Sequence, residues 1–193
     1  MPKTDTAERI LQTALQLMQE KGFKAVSIKE IAQLAEVSEM TIFRHFATKK
    51  KLLETAIEHH SIIASFQAIF AHQIEWKLEK DLYLIAITYL ELMEANRPIF
   101  LIAIQERSIM PELMDTVSKN PIQLKQQLAL YFQTMQQKQK INIANPEQQA
   151  ASFLTFLFGY FVSLTFLENK FIKEPKEQFV LHCVQTYCHG IGE

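Results

Sequence analysis

The 193-residue sequence predicts an all-α fold, and three observations carry that reading. Four glycines and six prolines are too few for the turns of an all-β design. Leu, Ile, Ala, Gln, Glu and Lys dominate and suit helices. Apolar residues recur at helical spacing behind a series of Asp, Ser and Thr cap signals. Hydrophobic residues make up 48 % of the chain, enough to bury a core and to exclude a disordered chain.

The first helix is expected over Thr6–Lys21, capped by Asp5 with Glu8 at capping-box spacing. Ile10, Leu11, Ala14, Leu15 and Met18 share one face of it. Gly22 ends it, with Phe23 as the hydrophobic contact behind a glycine C-cap. Ser27 then caps a short helix at about 28–35, and Glu30 completes a second capping box. Ser38 caps a third, to about Phe46, and Thr48 opens a longer fourth through the 50s and 60s. Two short helices only about three residues apart cannot each bury a face alone. Packed crosswise on the first helix they make a helix-turn-helix at about 27–46; an ordinary three-helix cluster has the same spacing.

A formal net charge of -1 is not the global signature of a nucleic-acid binder, so the local distribution decides. Arg44, Lys49, Lys50 and Lys51 stand against Glu39 between Ser38 and Lys51, a local excess of three positive charges. The three lysines occupy the first turn of a helix, where each cation costs roughly 0.3–1 kcal/mol against the helix dipole. A phosphate at that helix end would reverse the sign; a solvated lysine run is the plainer alternative. In the third helix Ile42 and Phe46 should face the core, leaving Glu39, Met40, Thr41, Phe43 and Arg44 outward. Outward Met and Phe suit thymine methyls or sugar edges, Arg44 suits guanine, and Glu39 could accept from a cytosine amino group.

The stretch SIKEIAQLAEVSEMTIFRHFATKKKLL at 27–53, preceded by ILQTALQLMQEKGF, resembles the tetracycline-repressor (TetR) family. The resemblance implies an N-terminal three-helix DNA-binding domain at 1–50 and a helical ligand-binding and dimerisation domain at 51–193. It implies that Ser27, Ser38, Thr41, His45 and Lys49 hold the DNA backbone, with Arg44 in the variable slot that often reads bases. Glu36 and Met40 stand where the family pattern has glycine, and Phe43 where it has tyrosine. The implied partners are a palindromic double-stranded DNA operator, a second copy of the chain in a homodimer, and a small inducer that releases the repressor from its operator.

Beyond residue 70, helices are expected at about 80–96, 98–108, 118–139, 147–168 and 175–189. Pro98, Pro111, Pro121, Pro146 and Pro175 should lie at their starts or between them. Residues 148–167 carry no charge and reach membrane-spanning length, so a membrane-anchored regulator is the alternative. Gln148, Gln149, Ser152, Thr155, Ser163 and Thr165 inside the stretch, and Glu147 and Glu168 at its ends, favour a soluble helix and no membrane. Ser152, Thr155, Gly159 and Ser163 form a small-residue stripe on a helix expected to be buried all round. With Phe179, Cys183 and Tyr187 of the last helix they are the candidate dimer interface, a four-helix seam between two chains.

Tyr89, Met93, Phe100, Ile104 and Phe132, with Phe156 and Tyr160, are the candidate ligand pocket; the same spacing serves plain core packing. Their chemistry points to a mostly apolar inducer. No phosphate loop or nucleophile elbow is present, which weighs against a small helical enzyme, and no catalytic residue or cofactor is expected. His182, Cys183, Cys188 and His189 cannot supply four tetrahedral ligands from one helix, so no metal is expected. Two cysteines and a polar N-terminus fit a reduced, cytoplasmic protein.

Overall fold

The computed structural model describes residues 5–108, 110–142, 145–167 and 170–191. Ten helices and no strand are found among these described residues: α1 (Thr6–Lys21), α2 (Ile28–Leu34), α3 (Glu39–Phe46), α4 (Lys49–His59), α5 (Ile63–His72), α6 (Leu78–Ala95), α7 (Arg97–Glu106), α8 (Glu112–Gln137), α9 (Pro146–Leu167) and α10 (Lys176–Ile191). Fold class and most boundaries follow the sequence reading. The expected long fourth helix does not form as one piece. It breaks after His59, and α5 starts without a side-chain cap.

Contacts divide the chain into two compact units. The first holds α1 to α4, α7 and the opening turns of α8. Its core joins Ile10, Leu11, Ala14 and Met18 of α1 to Ile31, Ile42, Phe46, Leu52, Leu53 and Ile57. Ile99 and Ile102 of α7 and Leu113 of α8 complete it. The unit therefore runs past the expected border at residue 50, because α4 and α7 bury their apolar faces in it.

The second unit holds α5, α6, most of α8, α9 and α10. Here α10 and α9 both pack on α6. The rings of Tyr160 and Phe179 stack at 4.3 Å, and Phe153 meets Tyr187 edge-on at 5.0 Å, joining α9 to α10. Asp81 is buried but fully engaged: its carboxylate accepts from the Tyr131 hydroxyl at 2.9 Å and from the N–H groups of Glu75 and Lys77.

Two expectations about the C-terminal half need correction. Pro121 lies inside α8 rather than at a helix start. It removes one helical N–H, and the division between the two units falls just before it, between Lys119 and Asn120. α9 is buried on one face only. Phe153, Leu157, Tyr160 and Phe161 point into the unit, while Ser152, Thr155, Phe156 and Gly159 are exposed. α9 is long and apolar enough to cross a membrane; here its inner face serves as core.

Candidate nucleic-acid interface

The site is assembled from local cap chemistry. The Ser27 hydroxyl accepts from the Glu30 N–H at 3.1 Å, Ser38 from Thr41 at 3.1 Å, and Thr48 from Lys51 at 3.0 Å. Each cap fixes where its helix begins and satisfies one of the N–H groups that a helix start leaves without a partner. The Ser38 and Thr41 hydroxyls also meet at 2.8 Å. Between α2 and α3 the chain turns at Glu36, whose φ of 52° is left-handed. A non-glycine residue is held there by the Val37 N–H bonding the Ala32 carbonyl at 2.9 Å. Arg9 of α1 anchors the end of α2 through the Ala35 carbonyl, at 2.9 Å.

α3 presents the surface that the sequence predicts. Ile42 and Phe46 are buried, and Glu39, Met40, Phe43, Arg44 and His45 are exposed, with Thr41 half-buried. Met40 is 75 % exposed and Phe43 45 %. Leu34, at the end of α2, is 60 % exposed and joins the apolar side chains of this motif. The inward set of this helix leaves Leu34 out, and a single outward leucine gives no signal of its own in the sequence.

The lysine turn differs from expectation. Lys49 does not point its ammonium into solvent. Its Nζ donates to the carbonyls of Phe23 and Val26 at 2.7 Å each and lies 4.4 Å from the centre of the Phe23 ring. Burial pushes its pKa below the ordinary lysine value, and the Glu106 carboxylate pulls it partly back. Lys50 pairs with Glu112 and Lys51 with Glu54. Those two pairs are solvent-exposed, and such pairs are worth at most about 1 kcal/mol, so either lysine can exchange its partner for a phosphate.

The remaining candidates separate by position. Tyr89 and Phe132 are buried in the second unit, with Tyr160, and Met93 is half-buried there. Phe100 and Ile104 belong instead to the first unit, half-buried on α7. Phe156 is no pocket residue: it is 53 % exposed, with its ring 6.3 Å from Phe179. Cys183 and Ser163 leave the dimer-face set, since both are buried within their own chain. Phe179 and Tyr187 are half-buried against α9. Burial pushes the Cys183 and Cys188 thiols up to about 11, which keeps them protonated.

Residues 10–56 match the profile of the family described as bacterial regulatory proteins, tetR family. Over 187 residues the chain is 36 % identical to YvkB of Bacillus subtilis, an uncharacterized HTH-type transcriptional regulator, covering 97 % of each protein. A TetR-family regulator from Mesorhizobium loti has the same fold at TM-score 0.76 and 21 % identity, over 99 % of this chain and 100 % of that one. A transcriptional regulator from Saccharomonospora viridis, solved in complex with choline, superposes at TM-score 0.77 and 21 % identity, over 97 % of each chain. The chain belongs to the TetR family of bacterial regulatory proteins, and it is a DNA-binding transcriptional regulator rather than an enzyme.

Proposed function

We propose that the chain works in the cytoplasm as a homodimeric repressor whose two α3 helices enter successive major grooves of a palindromic operator. The observation that carries this is the composition of α3 itself. A two-turn helix with Met40, Phe43, Arg44 and His45 in solvent, and Ile42 and Phe46 fixing its inner face, is a costly free surface but a good reader of base edges. Arg44 is assigned to a guanine edge, and Met40 and Phe43 to thymine methyls or sugars. Ser27, Ser38, Thr41 and His45 are assigned to the phosphate backbone, with Lys50 and Lys51 in place of Lys49.

The exposed face of α9, with Ser152, Thr155, Phe156 and Gly159, is the surface assigned to the second copy. Small residues there let a partner helix approach closely. In the second unit Tyr89, Met93 and Phe132 supply an apolar, aromatic environment, which supports a small and mostly apolar inducer. The choline complex of the Saccharomonospora regulator supports a small-molecule site in this fold.

The test is selection from a pool of random-sequence duplexes with the purified chain. The expected product is an inverted repeat whose half-sites lie about one helical turn apart, roughly 34–36 Å. Enrichment of a single unrepeated half-site would sink the dimer reading, and no enrichment would sink sequence-specific binding.

A further inference from the structure

The linker between α1 and α2 is gripped from two sides within the first unit. The N–H of Phe23 donates to Oε1 of Glu106, the last residue of α7, at 3.0 Å. The carbonyl of the same Phe23 accepts from Nζ of Lys49, the first residue of α4, at 2.7 Å. That ammonium also reaches the Val26 carbonyl at 2.7 Å, so it spans the linker. Glu106 is only 5 % exposed, and Lys49 is the cation that faces it electrostatically. The Phe23 N–H answers part of the cost of burying the Glu106 side chain.

Gly22 makes the close approach possible. Its φ of 81° lies in a region that other residues rarely adopt. A Cβ there would stand 3.1 Å from Nε2 of Gln105 and 3.4 Å from Oε1 of Glu106. The end of α7 therefore lies directly on the linker backbone.

Both ends of the DNA-reading motif depend on this junction. The linker leads straight into the Ser27 cap and α2. At the other end only Ala47 and Thr48 separate Phe46 of α3 from Lys49. That connection is tight: Ala47 has a φ of 60°, and the Thr48 N–H bonds the Phe46 carbonyl at 2.6 Å. Two residues leave little chain between α3 and α4 to absorb a displacement. A shift of Lys49 is then a shift of the C-terminal end of α3.

Resting on the DNA-binding reading, we propose that Glu106 and Lys49 are positioning residues that set the angle at which α2 and α3 are presented, and so fix operator preference without touching DNA. Specific binding by a dimer needs two heads in register with two grooves, whereas binding to arbitrary duplex needs only charge.

The experiment compares three variants of the full chain on the selected operator and on a random-sequence duplex, across a salt titration. Lys49→Met keeps the apolar stem on Phe23 and removes the ammonium. Glu106→Gln keeps an acceptor oxygen and removes the charge. Glu106→Ala removes both. Lys49→Met and Glu106→Ala should each cut the preference for operator over random duplex by about tenfold, the scale of one charge-assisted hydrogen bond. The salt slope on random duplex should stay at the wild-type value. Hydrogen exchange at the Phe23 amide should be fast in Glu106→Ala and slow in Glu106→Gln, and the latter should lose less preference. The double variant Lys49→Met with Glu106→Ala should be no worse than the worse single, because both act through one linker.

With every variant folded, either of two results overturns the proposal. One is a Lys49→Met variant that weakens both duplexes alike with a slope lower by about one, which makes Lys49 a phosphate contact. The other is fast Phe23 exchange in Glu106→Ala with operator preference intact. If Glu106→Ala does not fold, Lys49→Met and Glu106→Gln decide: wild-type preference in both overturns it. A wild-type chain that enriches no duplex would refute the DNA-binding reading, and the proposal with it.

Discussion

Replacing Gly159 by leucine should move two measurable quantities in opposite directions. Within one chain nothing lies within 4 Å of where its Cβ would sit, and its neighbours on that face, Ser152, Thr155 and Phe156, are exposed. Glycine in a helix interior is about 0.8–1 kcal/mol worse than alanine, and leucine is close to alanine. Helix α9 of the single chain should therefore gain roughly 0.5–1 kcal/mol. Across a close seam between two copies the added side chain has no room, and overpacking costs about 1–3 kcal/mol. In a two-fold contact that insult occurs twice, so the dimer should weaken by about 2–6 kcal/mol, or roughly thirtyfold to twenty-thousandfold. Sedimentation velocity over a dilution series reads the dimer constant, and circular dichroism of the dissociated chain reads the helix. Operator binding should fall with dimerisation while helicity holds or rises. A dimer of wild-type affinity would place the seam elsewhere and remove the exposed face of α9 from it.

Glu36→Gly should relieve a left-handed residue worth about 1–2 kcal/mol of strain, less the glycine's extra freedom in the unfolded chain, for a net gain of about 0.5–1 kcal/mol. The midpoint of urea unfolding reads this, and a lower midpoint would show that the Glu36 side chain makes a contribution its φ does not reveal. Arg44→Ala should relax preference at one base pair in each half-site at about 1–3 kcal/mol; an unchanged selected motif would make Arg44 a backbone contact. Glu112→Gln should free Lys50 from its pair and raise affinity for any duplex by up to about fivefold, the ceiling for an exposed ion pair. The opposite change, Lys50→Ala, should lower affinity for all sequences and cut the salt slope by about one. Equal slopes in wild type and Lys50→Ala would take Lys50 out of the interface.

Local chemistry accounts for what was legible. Asp5, Ser27, Ser38 and Thr48 each cap the helix expected of them, because a cap is decided within three residues of chain. The inward and outward sides of α3 follow from the same short range, through Ile42 and Phe46 four residues apart. The break before α5 left no such mark, since Ile62 caps it with backbone alone. Pro121 inside α8 went the other way: the residue reads as a helix boundary, yet the helix continues through it. α9 shows a further limit. Its outer face also carries large apolar side chains, Phe156, Phe158 and Phe166, so hydrophobicity alone does not single out the side that meets the chain's own core.

The lysine turn shows how far a sound physical premise reaches without tertiary contacts. Lys49, Lys50 and Lys51 are equivalent in sequence, and all three oppose the dipole of α4. That cost suggested an external anion for the group as a whole. Successive residues on a helix, however, differ by about 100° in direction, so the three cannot share one fate. Lys49 turns inward and finds carbonyl oxygens of the α1–α2 linker, a set of negative dipoles supplied by the chain itself. Lys50 and Lys51 turn outward to the carboxylates of Glu112, whose side chain is exposed, and Glu54, whose side chain is half-buried, and a phosphate can replace either. The case for DNA therefore leans less on the run of charge than on α3, whose exposed Met40 and Phe43 no contact within the first unit has removed from water. A charge run at a helix start can be answered internally, whereas two large apolar side chains beside an arginine on a firmly held helix call for a partner outside the chain.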